Sequence, residues 1–384
     1  VCICPFACCA ASGIVPHRPR KPAPVLDYRV ICMPNHSSYD AVVVGAGPNG
    51  LAAAITLARA GHSVLLIEAK ATVGGGMRTA ALTLPGFRHD ICSAIHPLGM
   101  ASPFFAHLPL AEYGLGWIQP DIPMAHPLDD GTAVALHRAF DATAQSIGAD
   151  GEAWRKLMQP LAISWPKLAP ALLSAMPLSP HLFDLARFGL PALLPATQLA
   201  RWLFRDERAQ ALFAGLAAHA IMPLERILTS SFGLMLGMLG HAVGWPLPRG
   251  GSQAIADAMA AYFKSLGGEI VTGWEITTLD ELPRARAILL DVTPRQMLML
   301  AGARLPTAYK RQLARYRYGP GVFKLDYALA GPVPWRAAEC HRAGTVHVGG
   351  TLTEIAAAER TVGQGGHPER PYVLVTQQSL FDST

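Results

Sequence analysis

The stretch that most constrains this chain is YDAVVVGAGPNGLAAAITLARAGHSVLLIEAKATVGGGMRT, from Tyr39 to Thr79. Ala41–Val44 is apolar and β-branched and reads as a short buried strand that stops at Gly45-x-Gly47-x-x-Gly50. In such a turn the first glycine permits the tight bend. The second lets a pyrophosphate approach the backbone, and the third lets the following helix pack close to the strand. Pro48 stands where that helix begins, at a position with no amide partner to lose. The alanine-rich segment Asn49–Ala60 reads as the helix and Gly61 as its terminator. Ser63–Ile67 predicts a second parallel strand with Glu68 at its tip, 18 residues beyond Gly50, where a carboxylate can take both hydroxyls of a ribose. Strand, turn, helix, strand and acid in this order predict a dinucleotide-binding βαβ unit whose helix N-terminus faces phosphate. A glycine-rich turn in an unrelated α/β fold leaves Glu68 without a purpose.

Glu68 disfavours a 2′-phosphate but suits NAD and FAD alike. After five intervening residues stand Gly74, Gly75 and Gly76, with Arg78 just beyond. A second glycine turn so close to the ribose acid lets the chain double back along the cofactor, so that Arg78 or nearby amides reach the pyrophosphate. FAD, the longer cofactor, needs this cover and is the cofactor expected. A plain flexible turn is the competing explanation.

The 384 residues are 51% hydrophobic and 15% charged, enough for two domains or one elaborated domain with a large core. Of the formal net charge of +5, residues 1–33 carry +3, and the small remainder argues against a nucleic-acid partner. Five of the seven cysteines precede Met33, and only Cys92 and Cys340 lie beyond it. Two isolated cysteines make no disulfide framework, which points to a reducing, cytoplasmic setting. CICPFACC lacks the separated ligand pairs of a zinc site, and no metal is expected. Residues 1–33 read as lying upstream of a natural start at Met33, with a basic targeting peptide as the alternative.

Tyr39–Thr79 resembles the FAD-binding N-terminus of flavoproteins related to phytoene dehydrogenase, which group with amine oxidases on a glutathione-reductase-like FAD fold. LTLPGFRHDICSAIHPLGMASPFF (Leu82–Phe105), PLPRGGSQAIADAMAAYFKSLGGEI (Pro246–Ile270) and RYGPGVFKLDYALAGPVPW (Arg317–Trp335) resemble the same group. The resemblance implies an α/β fold: a Rossmann FAD domain in separated pieces with an inserted α+β substrate domain. The expected division is an extension over 1–37, FAD-binding pieces at 38–105 and 245–305, and substrate-domain pieces at 106–244 and 306–384. By carry-over, Gly45, Gly47 and Gly50 hold the pyrophosphate, with Pro48 and Asn49 beside them. Glu68 and its neighbour Ala69 hold the adenosine ribose, and Gly75, Gly76, Met77 and Arg78 line the cofactor. Ile276 is the position expected to offer its backbone to the adenine, although an apolar strand residue needs no cofactor to explain it. Members of the group close the FAD domain with a C-terminal glycine-rich segment. The chain ends at VLVTQQSLFDST, which predicts a fragment that retains FAD poorly.

Leu108–Trp117 and Ala133–Leu136 read as strands, with a turn at Leu128–Gly131, and Ala139–Ser146 and Glu152–Leu168 read as helices. Ala169–Leu239 reads as helices broken by Pro177, Pro180, Pro191 and Pro195. Ile227–Pro248 is 22 uncharged residues long, but its glycines, His241 and prolines favour a buried helix near a substrate cavity over a membrane span. Pro177–Phe204 sets Leu, Phe and Trp beside isolated arginines. A Pro-broken helical core is the first reading, and a surface for peripheral membrane contact is the second. Gln253–Leu266 reads as a helix. Glu269–Val271, Glu275–Leu279, Ala287–Leu290, Val322–Ala330, Gly344–Thr351 and Tyr372–Gln378 read as strands. Asp291 either faces the cofactor or caps the next helix. His96 is the candidate catalytic residue, placed near the flavin, against the alternative of a loop histidine bonded to backbone. No hydrolase or redox-cysteine motif competes. The expected activity is FAD-dependent hydride transfer from a small lipophilic substrate, of desaturase or isomerase type. Amine oxidation and a non-catalytic flavin scaffold are the alternatives.

Overall fold

The computed structural model describes residues 36–174 and 180–383. CICPFACC and Pro177 lie outside the described residues. The chain divides into two compact units. The first takes its described residues from 36–78 and 255–317, the second from 79–254 and 318–383. Two four-stranded sheets are built from β1 (Ser38–Val44), β2 (Val64–Glu68), β3 (Ile122–Pro127), β4 (Ala133–Leu136), β5 (Glu269–Thr272), β6 (Arg284–Leu290), β7 (Ala343–Val348) and β8 (Val373–Thr376). The helices that matter below are α1 (Pro48–Arg59), α2 (Gly151–Ile163), α3 (Glu207–Ala217), α4 (Ser230–Ala242) and α5 (Leu352–Gly363).

In the first unit the strand order is β6-β1-β2-β5, all parallel. Apolar runs buried on both faces are the signature of parallel strands, and Val64–Glu68 is buried throughout. The α1 crossover buries Leu51, Ala54, Ile55 and Ala58, spaced for one helical face. Val44 lies opposite both Ile67 and Leu290, so β1, β2 and β6 end level with one another. That common edge carries the glycine turn, Glu68 and Asp291.

Glu275–Leu279 is not a strand. The Glu281 carboxylate accepts the amides of Thr277 (3.1 Å) and Thr278 (3.0 Å), donors that a sheet ladder would have used. Ile276 lies in this irregular segment with its side chain in the core. Nor does Asp291 cap the helix that follows it. Thr293 does so, in a capping box with Gln296.

In the second unit the order is β8-β7-β3-β4, with β7 parallel to β3 and the outer pairs antiparallel. One face, including Met124, Val134 and Leu136, packs in a core with Trp154, Met158, Phe213 and Leu216 from α2 and α3. The other face is covered by Ala337 and Cys340. Helix α4 enters the same core along a glycine face. A Cβ added at Gly233, Gly237 or Gly240 stands 2.8, 2.7 or 2.6 Å from Phe213, Met158 or Leu136 respectively. The glycines that weaken Ile227–Pro248 as a membrane span therefore let α4 pack closely. Among the described residues no helix is long and apolar enough to cross a membrane.

Four other expectations fail here. Leu108–Trp117 is a 3-10 turn (Leu110–Tyr113) before a two-residue strand that starts at Trp117. Val322–Ala330 alternates like a strand but pairs with none among the described residues, and Val322 and Phe323 are exposed. Pro191 lies within the helix Leu182–Ala192, near its end, and breaks nothing. The expected helix Glu152–Leu168 is two, parted at Ser164 just before Pro166.

Candidate dinucleotide and substrate sites

The glycine turn is set by backbone contact. Gly45 has φ +103°, and a Cβ there falls 2.4 Å from the Asp291 carbonyl oxygen. A Cβ on Gly50 falls 1.9 Å from the Gly45 carbonyl oxygen. Gly47 is the N-cap of α1 and has no side chain to occupy the helix end, which begins with Pro48 and Asn49. The second glycine turn folds onto the first: the Gly74 amide donates to the Ala46 carbonyl (2.7 Å), and a Cβ on Gly75 lies 2.9 Å from the Gly47 Cα. Gly75, Gly76 and Met77 form one 3-10 turn, with Met77 buried. Gly75 thus needs to be glycine for the meeting of the two turns.

Glu68 ends β2, and its neighbour Ala69 is partly buried. One carboxylate oxygen of Glu68 accepts the Ala46 amide (3.0 Å); the other accepts the Lys70 amide (2.9 Å) and the Arg78 guanidinium (2.9 Å). Arg78 also donates to the carbonyls of Thr72 and Gly75. A carboxylate offers about four acceptor positions, so roughly one remains, on the oxygen shared with Ala46. The residues fit a ribose that donates one hydroxyl to Glu68. Arg78, expected at the pyrophosphate, stands here as the residue that fixes the acid.

Asp291 accepts the Gly50 amide at 2.8 Å, and its carboxylate lies 3.4 Å from where a Gly47 Cβ would stand. An acid from the end of β6 therefore caps α1. Asp291→Ala is expected to lower stability by about 1 kcal/mol, the usual cost of a lost cap, and Asp291→Asn by less. Chemical denaturation of the three proteins measures this.

The second unit encloses a cavity of about 830 Å³. Its wall is mainly apolar (Leu98, Phe188, Phe232, Met235 and Leu236 among others) with His96, His219, Trp245, Lys324, Glu359 and Tyr372 set into it. His96 Nε2 is 2.7 Å from the Ser252 hydroxyl, which itself donates to the Ser93 carbonyl (2.6 Å). A hydroxyl has one proton, so Nε2 must carry the hydrogen of the first bond. Burial pushes the His96 pKa down to about 4, so the ring is neutral at pH 7. The Ser252 amide donates to the buried Asp90 carboxylate (2.7 Å), which also accepts the Thr79 hydroxyl (2.6 Å). This network ties PRGGSQ (Pro248–Gln253) to HDICSAIH (His89–His96). Gly251 permits the approach, since a Cβ there lies 2.6 Å from the Thr79 hydroxyl oxygen. Lys324 is ion-paired with Asp326. His219 is stacked on Trp245 and edge-on to His347.

Glu359 is buried on α5, and loss of water raises its pKa from 4.5 to about 7. A carboxyl with a raised folded pKa makes no difference to stability below about pH 4.5. It costs stability progressively as pH rises from there through about 7. Glu359→Gln is expected to match the parent near pH 4.5 and to exceed it by about 3 kcal/mol above pH 7. Urea unfolding at the two pH values measures the difference.

Glu359, His219, Trp245, Lys324 and Tyr372 escape a reading of the sequence. A signal exists for Glu359: Thr351 and Glu354 form a capping box that announces α5, and Leu352, Ile355, Ala356 and Glu359 share its buried face.

The NAD(P)-binding Rossmann-like domain family matches residues 43–108. A limonene dehydrogenase component from Castellaniella defragrans is 36% identical over 108 residues, covering 28% of this chain and 19% of its own length. The hydroxyneurosporene desaturase of Cereibacter sphaeroides is 30% identical over 196 residues, covering 46% and 38%. An oxidoreductase structure from Methanosarcina mazei superposes with a TM-score of 0.50 at 19% identity, covering 72% of this chain and 65% of that one, which shows a shared fold. The chain thus spans less than two thirds of each of these proteins. The glycine fingerprint and the parallel sheet are those of a Rossmann-like dinucleotide-binding domain, and over the matched stretches the chain is similar to FAD-dependent oxidoreductases of the desaturase kind.

Proposed function

We propose that the chain is the dinucleotide-binding and substrate-binding part of an FAD-dependent oxidoreductase that takes a hydride equivalent from a lipophilic substrate, as a desaturase or isomerase does. The observation that carries the reading is the pairing of two features. One is a glycine turn at a helix N-terminus, where Asp291 takes only the Gly50 amide and the N-cap residue Gly47 has no side chain, with a strand-tip acid that keeps about one acceptor position. The other is a largely apolar cavity of about 830 Å³ in the second unit. In this reading the amides around Gly47 receive the diphosphate, Glu68 receives a ribose hydroxyl, and Arg78 keeps Glu68 in place. Bound FAD supplies the two-electron acceptor. The chain's own residues bind the substrate, exclude water from it and orient it. His96, neutral and held through Nε2 by Ser252, serves to position substrate. The Lys324 ammonium in the cavity wall is ion-paired with Asp326.

The relatives act on limonene and on hydroxyneurosporene by name, both poor in polar groups. The test is anaerobic addition of such alkenes and polyenes to the protein loaded with FAD. Bleaching of the oxidised-flavin absorbance is the expected result. Bound flavin that none of them reduces, but that dithionite does, favours a non-catalytic flavin scaffold.

A further inference from the structure

The cavity wall contains one acid whose partner is missing. Glu359 sits on the buried face of α5 with Leu352, Ile355 and Ala356, and only 7% of it is exposed. It lines the cavity, as does Val362 one turn further along. Its Oε2 has no hydrogen-bond partner among the described residues. Tyr372, close enough to feel the Glu359 charge, is already engaged: its hydroxyl donates to the Gly215 carbonyl (2.7 Å). Lys324, elsewhere in the cavity wall, is paired with Asp326. Buried carboxyl oxygens are almost always hydrogen-bonded, because leaving one unpaired forfeits its hydration.

We propose that Glu359 receives the head group of the substrate: the cavity takes an apolar molecule bearing one hydrogen-bond donor, an alcohol or a protonated amine, and refuses a carboxylate-headed lipid. This rests on the cavity being the substrate site. Glu359 is then a specificity-determining residue that fixes which end of an otherwise featureless molecule enters first. The acid's raised pKa agrees with a group that waits for a donor. An ammonium head pairs with the ionised form, and an alcohol is bound by either form.

The test is calorimetric titration of the purified chain at pH 8 with four probes of similar alkyl length: 1-decanol, decylamine, 1-methoxydecane and decanoate. The parent protein is expected to bind decanol or decylamine about tenfold more tightly than 1-methoxydecane, the loss expected for one hydrogen bond to a charged group, and decanoate most weakly. Whichever of the two donors binds tighter identifies the head group. Glu359→Leu is expected to bring decanol and 1-methoxydecane within twofold of each other while 1-methoxydecane still binds, which reports an intact cavity. Glu359→Gln, nearly isosteric, is expected to keep the preference for decanol and lose that for decylamine. Equal binding of all four probes by the parent, or a donor preference that survives in Glu359→Leu and Glu359→Gln alike, overturns the assignment and leaves the lipophilic cavity standing. Failure of all four to bind the parent overturns both.

Discussion

Gly50→Ala is expected to cost about 3 kcal/mol or more and to abolish dinucleotide binding in whatever protein still folds. The added Cβ falls 1.9 Å from the Gly45 carbonyl oxygen, a backbone atom that cannot rotate away. Relief requires either α1 or the turn to move. The turn is anchored on both sides, by the Gly45 amide on the Ile67 carbonyl (2.8 Å) and by the Asp291 amide on the Val44 carbonyl (2.9 Å). Moving α1 instead lifts buried Leu51, Ala54 and Ile55 from the sheet. The usual gain from replacing a helical glycine, about 1 kcal/mol, is small beside either. Thermal unfolding with and without FAD measures the effect. A variant that melts within a degree or two of the parent and keeps its FAD affinity contradicts this account of the turn.

The second large effect is at Glu68. Glu68→Ala removes the acceptor for the buried Ala46 amide, for the Lys70 amide and for the Arg78 guanidinium. An orphaned buried donor costs about 1–3 kcal/mol, so stability is expected to fall by about 2 kcal/mol. FAD affinity is expected to fall about 100-fold, since the ribose loses its charged partner and the turn loses the bond that shapes it. Arg78→Ala separates the two contributions. It leaves both amide bonds of Glu68 in place and frees an acceptor position, so its effect on FAD is expected to be several-fold smaller. Flavin fluorescence quenching across the three proteins tests the order. An Arg78→Ala loss equal to that of Glu68→Ala would mean that the guanidinium itself holds the cofactor.

The first unit is legible in the sequence because its information is local. Val44, Gly45, Gly50 and Glu68 lie within one βαβ, and each has a short-range reason for its identity. What sequence cannot supply is the partner across the chain. Asp291 caps α1 from 241 positions away, where local reasoning offers the next helix instead. Local reasoning likewise aims Arg78 at phosphate, because nothing in the sequence says that Glu68 has already engaged it. In the second unit, Ala133–Leu136 is readable as a strand, whereas its hairpin partner Ile122–Pro127 is not. That strand is buried on both faces and carries His126 and two prolines, so no alternation marks it. Val322–Ala330 shows the converse: it alternates well, but no described strand pairs with it, and alternation without a paired strand makes no sheet. The cavity residues come from segments as far apart as Cys92 and Gln378, and only the fold brings them together.

The central claim is that the glycine turn and Glu68 hold the adenosine diphosphate half of a dinucleotide. A crystal of the chain soaked with ADP tests it without relying on turnover or on the flavin end. The account predicts diphosphate density against the amides at the start of α1 and a ribose hydroxyl within hydrogen-bond distance of the Glu68 oxygen that also binds Ala46. ADP bound elsewhere, or a ribose turned away from Glu68 with the Glu68–Arg78 pair intact, would contradict it.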